Sequence, residues 1–390
     1  MLKTFITSAI YLLTMINRVE ISNKKLTWAI DRAGYDLDIF IEKEFPKLKD
    51  WLDNTKKPTI NQLKEFSKKV HVPFGYLFLK ENPIEKTPIP FFRVGKSSLD
   101  KVSLNVYDTI LLLKKRQEWL SEYLEESGFD KLDYVGSYSE KSDHIEIASD
   151  IRNKLKLKLD WSNELPSWEQ ARKNLADAIE SIGIIINFNS IVENNGHRKI
   201  DVNECKGFVL SDPYAPFMFI NSDDSKSAQM FTMAHELAHI WIDKSAGFDI
   251  DKMLPANDPI ELFCDKIAAE FLCPTEVFNI LWQKYKNINA IASEFKISPI
   301  VAARRALDLD KISRAQFFNF YNNYTSSDKK KRIHGGGGDY YNLQKSRVGL
   351  TFMSHLNRAV KQNKILYTEA YRLSGLRGDT FSTFIEKQNL

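Results

Sequence analysis

The stretch Phe231-Thr232-Met233-Ala234-His235-Glu236-Leu237-Ala238-His239 decides how the rest of the chain is read. His235 and His239 stand four apart in a strongly helical run, so their rings stack on one face with Cβ atoms about 5–6 Å apart. Two imidazoles at that spacing can chelate one Zn2+ at about 2.0–2.1 Å from each ring nitrogen. Glu236 projects beside them rather than at the ion, where it can act as a general base on water. Phe231, Ala234, Ala238 and Trp241 give the same helix an apolar side that anchors it. Only seven histidines occur in 390 residues, so a chance His-Glu-x-x-His is rare. The spacing is therefore read as a zinc centre of hydrolytic type rather than as two core histidines that happen to meet.

A catalytic zinc needs a third protein ligand and an open fourth position. Downstream, Glu261 and Asp265 fall at i and i+4 of a second helical run that also holds Phe263, Ile267 and Phe271. Such a pair suits a division of labour in which Glu261 ligates the metal and Asp265 accepts a hydrogen bond from a ligand histidine, fixing its tautomer. Asp265 as the ligand itself, or Asp258, stay as alternatives. His197 and Tyr214 are candidate transition-state stabilisers, but each reads as an ordinary loop residue.

Bulk composition narrows the setting. At 390 residues the chain is long enough for two or three domains, and 43% hydrophobic with 27% charged residues is ordinary globular composition. A net charge of +4 does not demand a nucleic-acid partner. Cys205, Cys264 and Cys273 form no Cys-x-x-Cys pair, which argues against a disulfide framework or a cysteine zinc site and for a reducing, cytoplasmic compartment. Met1 to Ile16 is apolar but broken by polar residues and too short to span a bilayer. It reads as an upstream extension, with Met15 an alternative start, and no stable membrane association is expected.

Patterns along the chain set the domain limits. Leu26, Ala29, Ile30 and Ala33 follow helical spacing up to Gly34, and further short helices are expected at 37–44, 45–52 and 60–70. Together they predict a helical domain over 17–82. Pro83, Pro88 and Pro90 open a linker and helical connector over 83–165, with long helices at 104–127 and 145–157. In the first of these, Leu111, Leu112, Lys115 and Trp119 are read as being in register. A helix at 168–181 then leads to strands at 183–188, 208–210 and 217–220, followed by helices almost to 325, which predicts an α+β domain over 166–325. Ser326 to Gly338, with the basic run Lys329 to Arg332, reads as a linker opening a helical tail over 326–390. Gly335 to Gly338 lacks the Lys-Ser/Thr ending and preceding strand of a phosphate loop.

The zinc-site run, together with Glu261 to Pro274 and its ending Ala268-Ala269-Glu270-Phe271-Leu272-Cys273-Pro274, resembles the ImmA/IrrE family of metallopeptidases. Trp28-Ala29, Arg32-Ala33-Gly34, Trp51-Leu52 and Pro58-Thr59-Ile60-Asn61-Gln62-Leu63 are similar to the phage-repressor type of helix-turn-helix module that often precedes this peptidase. Pro88-Ile89-Pro90-Phe91-Phe92-Arg93 and the tail beginning Gly335-Gly336-Gly337-Gly338-Asp339-Tyr340-Tyr341 also look like family segments. The resemblance implies a mostly helical multidomain chain: a helix-turn-helix bundle in front, then a zincin-like peptidase domain with a small sheet. It implies one Zn2+ per chain on His235, His239 and Glu261, Glu236 as base, and a helix-turn-helix transcriptional repressor as the protein substrate. The family more often has Asn at the position of Asp265. The strand Phe217 to Ile220 resembles the edge strand along which such enzymes lay an extended substrate.

The stretch equivalent to a DNA-reading helix, Glu44 to Trp51, offers Lys47 and Lys49 but also Glu44 and Asp50, with Asp53 just beyond, a mixed footprint that suits DNA contact or protein docking. The competing expectation is a non-proteolytic DNA-binding regulator or antitoxin-like protein in which zinc is structural or sensed.

Overall fold

Strand residues alternate between the two faces of a sheet, and in this chain both faces are apolar. The structure, a computed structural model, describes residues 18–83, 91–92, 102–243, 246–248, 258–327 and 340–390. Met1 to Ile16, Pro88 and Pro90, the run Lys329 to Arg332 and Gly335 to Gly338 lie outside the described residues. Contacts divide the chain into two units, Met1–Thr87 and Pro88–Leu390.

The first unit is helical: α1 (Asn23–Arg32), α2 (Leu37–Ile39) continued by a π-turn (Phe40–Glu44), α3 (Leu48–Leu52), α4 (Ile60–Lys69) and a final 3-10 turn (Phe74–Phe78). Gly34 at φ +76° ends α1, as its position predicts. Thr59 and Gln62 form a reciprocal capping box at the start of α4. Leu26, Ile30, Phe40, Leu63 and Phe66 fill the centre, and Phe45 and Trp51 pack edge-on against Phe66. The stretch Glu44 to Trp51 is not one helix. Phe45 leaves helical backbone at φ −149°, ψ 69°, and only Leu48–Leu52 is α-helical, with Leu48 and Trp51 turned into the core.

In the second unit, β1 (Phe91–Phe92) precedes α5 (Leu104–Glu126), α6 (His144–Lys154) and α7 (Trp168–Ser181). The strands β2 (Ile185–Asn189), β3 (Ile191–Val192), β4 (Asn195–Lys199), β5 (Gly207–Leu210) and β6 (Phe217–Asn221) follow, then α8 (Lys226–Trp241), β7 (Ala246–Phe248) and α9 (Pro259–Leu272). Four helices, α10 (Thr275–Tyr285), α11 (Ile288–Phe295), α12 (Pro299–Asp308) and α13 (Arg314–Ser327), precede the tail helices α14 (Tyr340–Val348), α15 (Leu350–Lys361), α16 (Tyr367–Ser374) and α17 (Asp379–Lys387). The chain is thus α+β. Its main sheet runs β1-β7-β5-β6-β2, with β3 and β4 a separate hairpin.

Sheet order corrects one expectation. The strand Phe217–Asn221 is not an edge: β5 pairs with it antiparallel on one side and β2 parallel on the other, so its backbone groups are already engaged. The continuous apolar run Phe217 to Ile220 reflects burial on both faces of the sheet.

Alternate residues of the same strands feed two cores. Ile184, Ile186, Val209, Met218 and Ile220 join α6 to α9 and the helices beyond. Ile185, Phe208, Leu210, Phe217 and Phe219 join α5 and the tail, where Phe352, Leu356, Phe381 and Phe384 cover them. The tail is therefore one of the layers that sandwich the sheet. Helix α5 faces this core differently from the expected register: Leu111 is 41% exposed, whereas Ile110, Leu113, Arg116, Gln117 and Leu120 are buried. Arg116 and Gln117 sit inside because carbonyls receive them; Gln117 Nε2 donates to Leu210 O at 2.7 Å and to Ala215 O at 3.1 Å.

Candidate metal centre

Helix α8 is buried from Gln229 to Trp241, apolar and polar residues alike. Such a helix lies between layers rather than on a surface. It packs on β5, β6 and β7 on one side and on α7 and α9 on the other. Gly207 on β5 permits the close approach: a Cβ there would fall 2.5 Å from Thr232 Cγ2 and 2.8 Å from Phe219 O. The start is capped by Ser225, whose side chain accepts from Ala228 N. At the other end Gly136 N and Tyr138 N donate to the carbonyls of Ile240 and Trp241, and Trp241 Nε1 donates to Asp150 Oδ2 at 2.7 Å. The histidine-bearing turn is thus held at both ends and on all sides.

Helix α9 brings the acids. Asp258 caps it, accepting from Ile260 N and Glu261 N ahead of Pro259, so the alternative ligand Asp258 is used as a helix cap. One turn in, Glu261 meets both histidines: Oε2 lies 3.1 Å from His235 Nε2 and Oε1 lies 3.2 Å from His239 Nε2. The two Nε2 atoms are 3.0 Å apart. Asp265, one turn further, lies with Oδ1 3.0 Å from His235 Nδ1. A carboxylate at Nδ1 assigns the proton to that nitrogen and leaves Nε2 of a neutral His235 with its lone pair turned toward Glu261 and His239.

Those contacts make sense only with a positive charge among them. His235, His239 and Glu261 each offer one ligand atom, all within 4.8 Å of one another, and all three residues are buried. Tetrahedral zinc with bonds near 2.05 Å separates its ligand atoms by about 3.3 Å, close to the 3.0–3.2 Å found here. Without an ion the cluster draws in a proton instead. Burial opposes a charged His235, but Asp265 and Glu261 outweigh it and push the imidazole up to about 10. Burial likewise works against an ionised Glu261, yet the two histidines hold its carboxyl down to about 2. Burial lowers His239, whose Nδ1 has no hydrogen-bond partner among the described residues. The donor set fits a divalent cation of zinc type.

Glu236 is fully buried, and neither carboxylate oxygen has a hydrogen-bond partner among the described residues. Burial raises its pKa well above the usual carboxylate range. A buried acid left without partners is costly unless something absent from the chain itself engages it. His197 is exposed on the β3–β4 hairpin, and Tyr214 packs on the tail side of the sheet with its hydroxyl 3.3 Å from Glu125 Oε1; neither is among the residues gathered here. Sequence reasoning passed over Gly207, Asp150 and the 132–138 loop, which position α8 through single contacts that leave no periodic pattern.

Helix, sheet and site together define a metallopeptidase-type domain. Residues 179–307 match the Peptidase_M78 family model, the IrrE N-terminal-like domain, so this part of the chain is similar to the ImmA/IrrE metallopeptidases. Residues 348–387 match a domain of unknown function, DUF8813. No curated protein matches the chain significantly. No helix among the described residues is long and apolar enough to cross a membrane.

Proposed function

We propose that this chain is a zinc-dependent metalloendopeptidase that cleaves a helix-turn-helix transcriptional repressor, relieving repression in a stress response or a mobile element. The observation that carries the reading is the buried His235, His239 and Glu261 cluster beside the unpartnered Glu236 carboxylate, inside an M78-type domain. In this proposal His235 Nε2, His239 Nε2 and a Glu261 oxygen hold the ion, and Asp265 keeps His235 in the Nδ1–H tautomer. A bound Zn2+ supplies Lewis acidity, polarising the scissile carbonyl and acidifying water. Glu236 takes a proton from the attacking water at a carboxylate oxygen and passes it to the departing amide nitrogen. Its burial raises its proton affinity, which strengthens it as the base in the first half of that transfer.

A repressor as substrate is supported by the resemblance of the front segment and the zinc-site run to regulators of this family. DNA contact by the helical unit 17–82 is compatible with the proposal but not required by it. Exposed Lys47 and Lys49 there alternate with exposed Glu44 and Asp50, and Glu44 pairs with Lys69. A cytoplasmic setting is supported by the buried Cys264 and Cys273, which form no disulfide among the described residues.

Co-expression with a helix-turn-helix repressor chosen from its gene neighbourhood tests the proposal. Glu236→Gln should retain the metal while cleavage falls by about 10²–10⁴-fold. Cleavage by this variant at the parental rate removes Glu236 as the base. If neither form cleaves and both retard an operator fragment, a non-proteolytic DNA-binding regulator replaces the peptidase.

A further inference from the structure

On the tail side of the sheet, a cavity of about 380 Å³, part of it open to solvent, lies between α5, β2, α14 and the end of α16. Arg116 lines it and is only 4% exposed. Its Nε donates to Leu373 O at 2.7 Å and its Nη2 to Ser374 O at 3.4 Å, while Nη1 makes no hydrogen bond among the described residues. Among the described residues no carboxylate is hydrogen-bonded to this guanidinium; the acid that acts on it is Glu193 at the exposed rim. Burial lowers Arg116 to about 10, so it stays charged at neutral pH. A buried cation without a contacting anion is expensive.

Two amides line the same cavity. Asn187 and Gln344 are 1% and 0% exposed. Asn187 Nδ2 donates to Arg347 O at 2.9 Å and Gln344 Nε2 to Asn194 Oδ1 at 2.7 Å, which fixes both amides in one orientation. Asn187 Oδ1 and Gln344 Oε1 are consequently buried acceptors with no donor among the described residues. Native structures seldom leave such atoms unmet. Water could donate to them but would not neutralise Arg116. The complementary occupant has an anionic end and an N–H donor end, and it must be small, because much of that volume is open solvent and the enclosed part is well below the size of ordinary ligand pockets.

We propose that this cavity binds a small zwitterion of the free α-amino acid class, its carboxylate on the Arg116 guanidinium and its ammonium shared by Asn187 Oδ1 and Gln344 Oε1. Arg347, held by Asn194 Oδ1 at 3.0 Å, adds positive charge to the cavity, offset in part by Glu193 at the rim, which acts on Arg116. The walls come from both matched segments, Asn187 from 179–307 and Ser374 from 348–387. A ligand there bridges the sheet and the tail whether or not the chain is a peptidase.

Isothermal titration of the full-length chain with glycine, L-alanine and L-serine, alongside acetate and methylammonium, tests it. At least one zwitterion should bind at one site with Kd below about 1 mM, and both half-ligands at least about tenfold more weakly. Gln344→Met, which removes an acceptor at similar volume, and Leu112→Trp, which fills the cavity while keeping its polar groups, should each weaken binding at least about tenfold. Circular dichroism identifies whichever variant stays folded, and that one decides the location. No binding of any zwitterion at about 10 mM means that water fills the cavity and overturns the proposal. Acetate binding as tightly as glycine overturns the zwitterion assignment, and undiminished binding in a folded variant overturns the location.

Discussion

The two faces of the main sheet are built from alternate residues of the same strands, yet their buried polar groups behave differently. Facing α8, the buried groups are two imidazoles and two carboxylates that crowd together and need a cation. Facing α5 and the tail they are Arg116, Gln117, Asn187 and Gln344, tied largely to backbone carbonyls and to Asn194. The first arrangement is chemistry held under electrostatic tension, and the second is mainly scaffolding with three atoms left over. The difference shows why a single helix can carry a reactive cluster: the opposite face must supply the packing that holds the sheet beneath it.

The comparison breaks most visibly if the tail is removed. Ending the chain after 327 strips Phe352, Leu356, Phe381 and Phe384 from Phe208, Leu210, Phe217 and Phe219, so the truncated protein should fail to fold and appear insoluble on expression. Full-strength, soluble activity without the tail would show that the layers are independent. On a finer scale Phe352→Ala should cost about 3–5 kcal/mol in chemical denaturation while leaving metal content unchanged.

On the other face, His239→Ala should abolish metal retention through gel filtration, measured by elemental analysis, with a far smaller effect on denaturation of the apoprotein than Phe352→Ala. Asp265→Asn keeps the shape of the side chain but weakens its hold on His235 Nδ1, and should reduce metal affinity by about 10–100-fold in a competition titration. Equal affinity would mean that Asp265, whose side chain is 35% exposed, does not orient the ligand.

The smallest effect lies where the layers meet. Burial, reinforced by Asp177 and opposed by Lys345, raises Glu180 on α7 to about 7. A raised carboxyl binds its proton more tightly in the folded state, so its ionisation favours unfolding, and the penalty grows as pH rises from near 4.5 through 7. Glu180→Gln should therefore melt higher than the parent above pH 7 and converge with it below pH 4.5. A gain of the same size at acid pH would contradict the assignment.

What the sequence disclosed differs between the two faces for the same physical reason. His235, Glu236 and His239 lie within one helical turn, and Glu261 and Asp265 within another, so chemistry and spacing could be read locally. The opposite face joins 104–126 to 340–390, whose contacts leave no short-range periodicity. In α5 the apolar spacing misled, because Arg116 and Gln117 occupy inward positions that carbonyls satisfy. The run Phe217 to Ile220 read as a strand but not as a central one, since burial says nothing about which neighbours pair. Asn195 to Lys199 is polar and exposed, so the β3–β4 hairpin carried no alternating signal. The five-residue helix Leu48–Leu52 was legible as helix, but the break at Phe45 that isolates it was not.

X-ray absorption at the zinc edge on the purified full-length protein examines the centre itself. Two imidazole nitrogens and at least one carboxylate oxygen in the first coordination sphere, at about 2.0–2.2 Å, with that bound-zinc signal lost in His239→Ala, is the predicted result. A sulfur-dominated sphere, or a spectrum unaltered by that substitution, would place the ion elsewhere and contradict the account.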